Sequence, residues 1–180
     1  SFTRRDNPNN YDHPMVKKLF HDIIERGHVI GLHGSFDSSE NYDLLKSEKE
    51  KIENAAGCEV RTGRQHYLRF STITTWKIWD DLGMSEDQTC GYHDAEGFRC
   101  GTGDSFAVFD LLSRKQLSLI ETPLLIMEGT LKDYRSMNRE DAIAKAADIV
   151  AKCKKYRSPF TILYHNSSFY RETWKGWDEI

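Results

Sequence analysis

No stretch of the 180-residue sequence approaches the roughly 20 apolar residues that a membrane-spanning helix requires, and it does not open with the basic-then-apolar layout of a secretory leader. Membrane insertion is therefore not expected, and a soluble, cytoplasmic protein is. Positive charge is also short: Lys and Arg number 25 against 28 Asp and Glu, leaving no cationic surplus to neutralise phosphates along a nucleic acid. Nucleic acid is not an expected partner. The four cysteines, Cys58, Cys90, Cys100 and Cys153, are scattered without the CxxC spacing of a structural zinc site or a redox pair, and read as reduced, mostly buried thiols. A serine-hydrolase elbow is missing too, because Gly34-Ser35 lacks the second glycine of Gly-x-Ser-x-Gly.

What is present is alternation. From Pro14 to Arg26, Val16, Leu19, Phe20, Ile23 and Ile24 recur at helical spacing, with proline at the first turn and Gly27 as the stop. The spacing predicts further helices from Asn41 to Ala56, around Trp76–Leu82, from Asn138 through Tyr156, and a last one carrying Trp174 and Trp177. Between them lie short apolar runs expected to be strands: 28–33, 58–60, 88–92, 122–127 and 160–164. A pitch of about 30 residues per strand is that of a strand-helix unit, so one α/β domain built on a parallel sheet or barrel is expected.

In such folds the active site forms at the carboxyl ends of the strands. Those ends are polar here: His33 with Ser35 and Asp37, then Arg64, His66 and Arg69, then His93 and Asp94, then Glu128, then His165 and Asn166. A single histidine after a strand is most often a hydrogen-bonded structural residue, but imidazoles gathered with a carboxylate are what a divalent ion such as zinc needs. Asp37 equally suits a solvated loop leading to a helix cap, and Arg64 a surface ion pair. The glycine-rich loop Gly91–Gly103, which carries Asp94 and Arg99, is too irregular for a phosphate-binding fingerprint and could border a substrate cleft or be a surface connection. Asp94 and Glu128 could also serve as the paired carboxylates of a glycosidase.

Three segments carry a resemblance. Gly27-His-Val-Ile-Gly-Leu-His33-Gly-Ser35, Arg64-Gln-His-Tyr-Leu-Arg-Phe70 and Leu163-Tyr-His165 resemble, in order, the second histidine motif, the arginine motif and the closing histidine motif of the polysaccharide deacetylase family, the NodB-homology or carbohydrate esterase family 4 domain. With Gly97-Phe-Arg-Cys-Gly-Thr102 the resemblance is to a divergent bacterial branch and covers about residues 11–166. It implies a distorted (β/α) barrel with fewer than eight strands and a metal-dependent hydrolase, zinc being the expected ion, that removes acetyl groups from an N-acetylated sugar or polysaccharide. His33, His66 and Asp37 would then be metal ligands, with Arg64, His165 and Asp94 catalytic and Tyr67, Arg99, Glu128 and Asn166 facing the carbohydrate. The family's second metal histidine is Asp37 here, and His66 stands where the arginine motif has proline. The family's first motif, a strand ending in paired aspartates, has no counterpart before His33: Asp6 and Asp12 sit in polar sequence. The expectation is a single deacetylase-like domain truncated at its N-terminal side, the alternative a non-catalytic carbohydrate-binding relative.

Overall fold

The computed structural model describes Asp6 and residues 10–177. The described residues include four α-helices, three of which start on a capping side chain. Helix α1 (Pro14–Glu25) starts on His13, whose Nδ1 accepts from the Met15 N–H at 3.2 Å. Its stripe is only half covered: Val16, Phe20 and Ile23 are partly buried, while Met15, Leu19 and Ile24 are exposed. Helix α2 (Tyr42–Ala56) is capped by Asn41, whose Oδ1 accepts from Leu44 N–H at 3.1 Å, and it ends on Gly57 in the left-handed conformation that glycine adopts without strain. Leu45 and Ile52, two turns apart, are its buried face. Helix α3 (Thr75–Asp81) buries Trp79 completely. Helix α4 (Arg139–Tyr156) is capped by Asn138, which accepts from Asp141 N–H at 2.8 Å, and buries Ala142, Ile149 and Cys153.

The chain divides into two compact units, Ser1–Thr89 with Ala107–Glu121, and Cys90–Phe106 with Thr122–Ile180. The sheet belonging mainly to the first is built from β1 (Leu32–Gly34), β2 (Thr62–Gln65), β3 (Glu86–Asp87), β4 (Phe106–Asp110) and β5 (Lys115–Glu121), in the order β1-β2-β3-β5-β4. The first three pairings are parallel, with His33 opposite Arg64, Gly63 opposite Asp87 and Asp87 opposite Glu121. The second unit holds a parallel pair, β6 (Ile126–Met127) with β7 (Ile162–Leu163). Its core joins Leu125, Ile126 and Leu131 to Ala142, Ile149, Cys153, Trp174 and Trp177.

The mixed α/β architecture is as expected, but the ladders sit at the ends of the apolar runs or beyond them. The run at 58–60 supplies the fully buried Val60, while pairing begins at Thr62 and continues through Gly63, where a Cβ would overlap the Leu32 carbonyl oxygen. Only glycine lets the two backbones approach so closely. The ladder expected at 88–92 lies earlier, at Glu86–Asp87, because the Thr89 N–H turns to Asp87 Oδ1 at 3.0 Å instead of to a neighbouring strand. Strands β4 and β5 were not expected; a tight turn at 111–114 connects them. The last helix is replaced by two 3-10 turns, Asn166–Phe169 and Glu172–Trp174. The described strands form a five-stranded and a two-stranded sheet, with no ring closure among the described pairings. All four cysteines are free thiols, Cys90 and Cys153 buried. Among the described residues, no helix is long and apolar enough to cross a membrane.

Candidate active site

In the first unit, β1 alternates: Leu32 and Gly34 are buried and His33 is exposed. Strand β2 leads directly into a 3-10 turn, His66–Leu68, in which Tyr67 (φ 58°) and Leu68 (φ 51°) both take left-handed backbone angles. Two successive side-chain-bearing residues in that region are strained, by about 1–3 kcal/mol each. The turn places His66 Nδ1 2.9 Å from His33 Nε2, with the rings edge to face. Neutral imidazole offers one donor and one acceptor nitrogen, so this contact carries a proton. Asp6 Oδ1 lies 3.9 Å from His66 Nε2 and accepts from the Phe36 N–H at 2.8 Å. Tyr67, 59% exposed, is held at its edges by His66 and Phe36, and the Arg69 guanidinium lies 4.1 Å over Phe36. Asp37 is exposed and 3.9 Å from Arg69.

A catalytic zinc ion takes three protein ligands at about 2.0–2.2 Å, and two nitrogens on one ion would sit a few tenths of an ångström further apart than His33 and His66 do. These two imidazoles therefore fit two positions of such a shell after a small opening. Among the described residues, no three His, Cys, Asp or Glu side chains converge as a third position would require.

Beside this pair, Arg64 turns inward. Its Nε donates to the Gln88 carbonyl at 2.8 Å and its Nη2 to Gln88 Oε1 at 3.1 Å. Burial pulls the guanidinium pKa down, and the charges of Asp87 and Glu121 pull it back up. Both acids are fully buried, and the Trp76 Nε1–H donates to Glu121 Oε2 at 3.2 Å. Asp87, Gln88 and Glu121 were not among the expected site residues. Polar side chains next to apolar runs are the only trace they leave in the sequence.

In the second unit, Glu128 follows β6 and His165 follows β7, and the pairing of those strands brings the two residues together. Glu128 Oε1 accepts the His165 backbone N–H at 2.8 Å, His165 Nδ1 at 2.7 Å and the Ser168 hydroxyl at 2.9 Å. Burial by itself would push this carboxyl up, but His165 and Ser168 outweigh it and hold Glu128 below the ordinary value, ionised. Its Oε2 is buried without a hydrogen-bond partner. Since Glu128 is acceptor-only, His165 presents Nδ1–H to it and Nε2 becomes the nitrogen that exchanges protons. Such a carboxylate-held imidazole can act as a general acid or base. Glu128, expected to face the carbohydrate, thus positions His165, and Ser168 is a partner that the sequence reading missed. Asn166, which opens the following 3-10 turn, and Asp94 are exposed; Asp94 lies 3.9 Å from His93. Arg99 donates to the Gly91 carbonyl at 2.8 Å and so braces the glycine-rich loop.

Comparison with solved structures adds a likeness in fold. The crystal structure of a "putative polysaccharide deacetylase" from Mycobacterium smegmatis aligns over 86% of this chain with a TM-score of 0.58 and 18% identity. The two share a fold. This chain spans 55% of the length of that one. No protein-family model and no curated protein matches the sequence.

Proposed function

We propose that this deacetylase-like domain is a hydrolase that removes acetyl groups from an N-acetylated sugar or polysaccharide, on a distorted barrel of fewer than eight strands. The observation that supports it best is the Glu128–His165 pair at the ends of β6 and β7 in a fold shared with the mycobacterial protein. His165, its tautomer set by Glu128, gives a proton to the departing amine of the sugar, whose expulsion as an anion would otherwise be prohibitive. Glu128 stays ionised and stabilises the imidazolium before that transfer. In the first unit, His33 and His66 would supply two nitrogens to a divalent ion, zinc being the chemically apt one, which when bound would act as a Lewis acid and acidify water. Tyr67 offers an exposed ring face on which a sugar can stack.

A second reading, a carbohydrate-binding relative without catalysis, is favoured by the convergence of only two donors among the described residues. One experiment separates the two. Acetate release from N-acetylglucosamine oligomers is measured with and without added zinc, alongside metal content, for the natural protein, His33→Ala and His165→Ala. Zinc-dependent release lost in both variants is the expected result. No release and no bound metal would overturn the proposal, and glycan binding that survives chelation and His33→Ala would establish the second reading.

A further inference from the structure

The glycine-rich loop Gly91–Gly103, part of the second unit, is drawn together at its base by residues that enter it and residues that leave it. The Cys100 thiol reaches the Cys90 carbonyl oxygen at 4.0 Å, and one step further in at each end Arg99 Nη1 donates to the Gly91 carbonyl at 2.8 Å. Both ends are fixed. The Cys90 carbonyl also accepts the Leu124 N–H at 3.2 Å, and the Gly101 N–H closes a turn onto the Phe98 carbonyl at 3.0 Å. A carbonyl oxygen stands about 2.4 Å from its own Cα, so the Cys100 sulfur lies within about 6.4 Å of the Cys90 Cα. That is the neighbourhood of a disulfide partner, since linked cysteines keep their Cα atoms about 4.4–6.8 Å apart. Exposure differs within the pair: Cys100 is partly exposed and Cys90 is buried, so a reagent from solvent meets Cys100 first. The other two thiols stand elsewhere, Cys58 in the first unit and Cys153 on α4 in the core of the second.

We propose that Cys90 and Cys100 are a reversible redox latch, which a low-molecular-weight disulfide oxidises to a Cys90–Cys100 bond across the base of this loop. The Cys100 thiolate attacks one sulfur of the oxidant, forming a mixed disulfide and expelling the other sulfur, which takes up the proton that Cys100 has lost. The Cys90 thiolate then attacks the Cys100 sulfur. The Cys90–Cys100 bond forms as the mixed disulfide breaks, and a second reduced thiol leaves with the Cys90 proton. Two protein thiols are oxidised and one external disulfide is reduced to two thiols, with no proton or electron left over. Excess reduced thiol runs the same steps backwards and reopens the latch. The segment so fastened holds the chain on either side of Glu128: the Gly97 N–H donates to the Leu125 carbonyl at 2.8 Å, and the His93 carbonyl accepts the Thr130 hydroxyl at 2.8 Å. Between those contacts Glu96 is ion-paired with Arg135 at 3.8 Å and Lys145 at 3.6 Å. The latch does not depend on the hydrolysis proposed above.

The test is incubation of the folded natural chain, Cys90→Ser and Cys100→Ser with oxidised glutathione. Remaining thiols are alkylated in denaturant and tryptic peptides are mapped by mass spectrometry without reduction. Cleavage after Arg99 puts the two cysteines on different peptides, so a bond between them is read directly. The natural chain is expected to yield Cys90 linked to Cys100, reversed by reduced glutathione, with Cys153 alkylated. Cys90→Ser is expected to stop at a Cys100–glutathione mixed disulfide, and Cys100→Ser to leave Cys90 unmodified. Cys90 to Cys100 span 11 residues, and closing a loop of that length should lower the urea unfolding constant of the oxidised natural chain about 100-fold against the reduced one, a shift absent from both serine variants. A natural chain that stops at the mixed disulfide, leaves both thiols alkylated, or links either to Cys58 or Cys153 would overturn the proposal. So would a linked chain whose unfolding constant is unchanged. Should the serine variants fail to fold, the linkage map and the unfolding of the natural chain decide by themselves.

Discussion

Replacing Glu128 by glutamine strikes the anchor beneath His165 while changing almost no volume. The carboxylate oxygen that receives the His165 N–H, the His165 ring and the Ser168 hydroxyl becomes a neutral amide oxygen. Hydrogen bonds to a charged acceptor exceed those to a neutral one by about 1 kcal/mol each, so the three contacts lose about 3 kcal/mol together. The amide nitrogen then takes the place of Oε2, which is buried without a partner, and an unsatisfied buried donor costs about 1 kcal/mol or more. Glu128→Gln is therefore expected to lose about 4 kcal/mol, a large share of the roughly 5–15 kcal/mol that a domain has. The measurement is urea unfolding at pH 7, followed by tryptophan fluorescence, with His165→Ala and the double variant closing a thermodynamic cycle. Because Glu128 titrates below its ordinary value of 4.5 when folded, its contribution is present above that pH and fades as pH falls further. The gap between the natural chain and Glu128→Gln should accordingly narrow in acid. A loss below about 1 kcal/mol at pH 7, or strict additivity in the cycle, would show that Glu128 is not an ionised anchor for His165.

Three further outcomes follow from the packing. Gly63→Ala puts a Cβ onto the Leu32 backbone, so β1 and β2 cannot pair in their present register; a loss of more than about 4 kcal/mol, or insoluble expression, is expected in a solubility and urea assay. Asn138→Ala removes the side-chain oxygen that accepts the Asp141 N–H and should lower α4 stability by about 1 kcal/mol, read as a shifted urea midpoint with unchanged slope. Trp79→Ala empties a fully buried site under the first sheet and should cost about 3–5 kcal/mol by the same measurement.

The helices were legible because their signals are local. Asn41 and Gly57 bracket α2 and Asn138 opens α4, each acting within a few residues of its own position. The strands were legible as core segments but not as ladders. Val60 and Leu124 are buried as their apolar runs imply, yet pairing depends on where another backbone can approach, which for β2 is at Gly63. Hydrophobic pattern carries no record of that approach. Strands β4 and β5 escaped because Lys115–Glu121 is polar along its exposed half. His33, His66, Glu128 and His165 stood out as polar residues at or beyond the ends of apolar runs, and the structure pairs the first two and the last two. Asp87, Glu121 and Ser168 did not, since a buried acid is recognisable only through partners that arrive from distant strands or turns. Asp6 read as part of a polar loop, yet its carboxylate reaches the Phe36 N–H 30 positions along the chain.

The twisted turn after β2 carries a consequence for anyone who would harden this protein. Leu68 is buried and repays its awkward backbone through packing, but Tyr67 is mostly in solvent and does so only through two ring edges. Glycine at position 67 would adopt the same φ of 58° without strain. A selection for thermal robustness alone would therefore tend to erase the aromatic ring next to His66, so heat resistance competes for a single codon with the sugar-stacking role proposed for that ring.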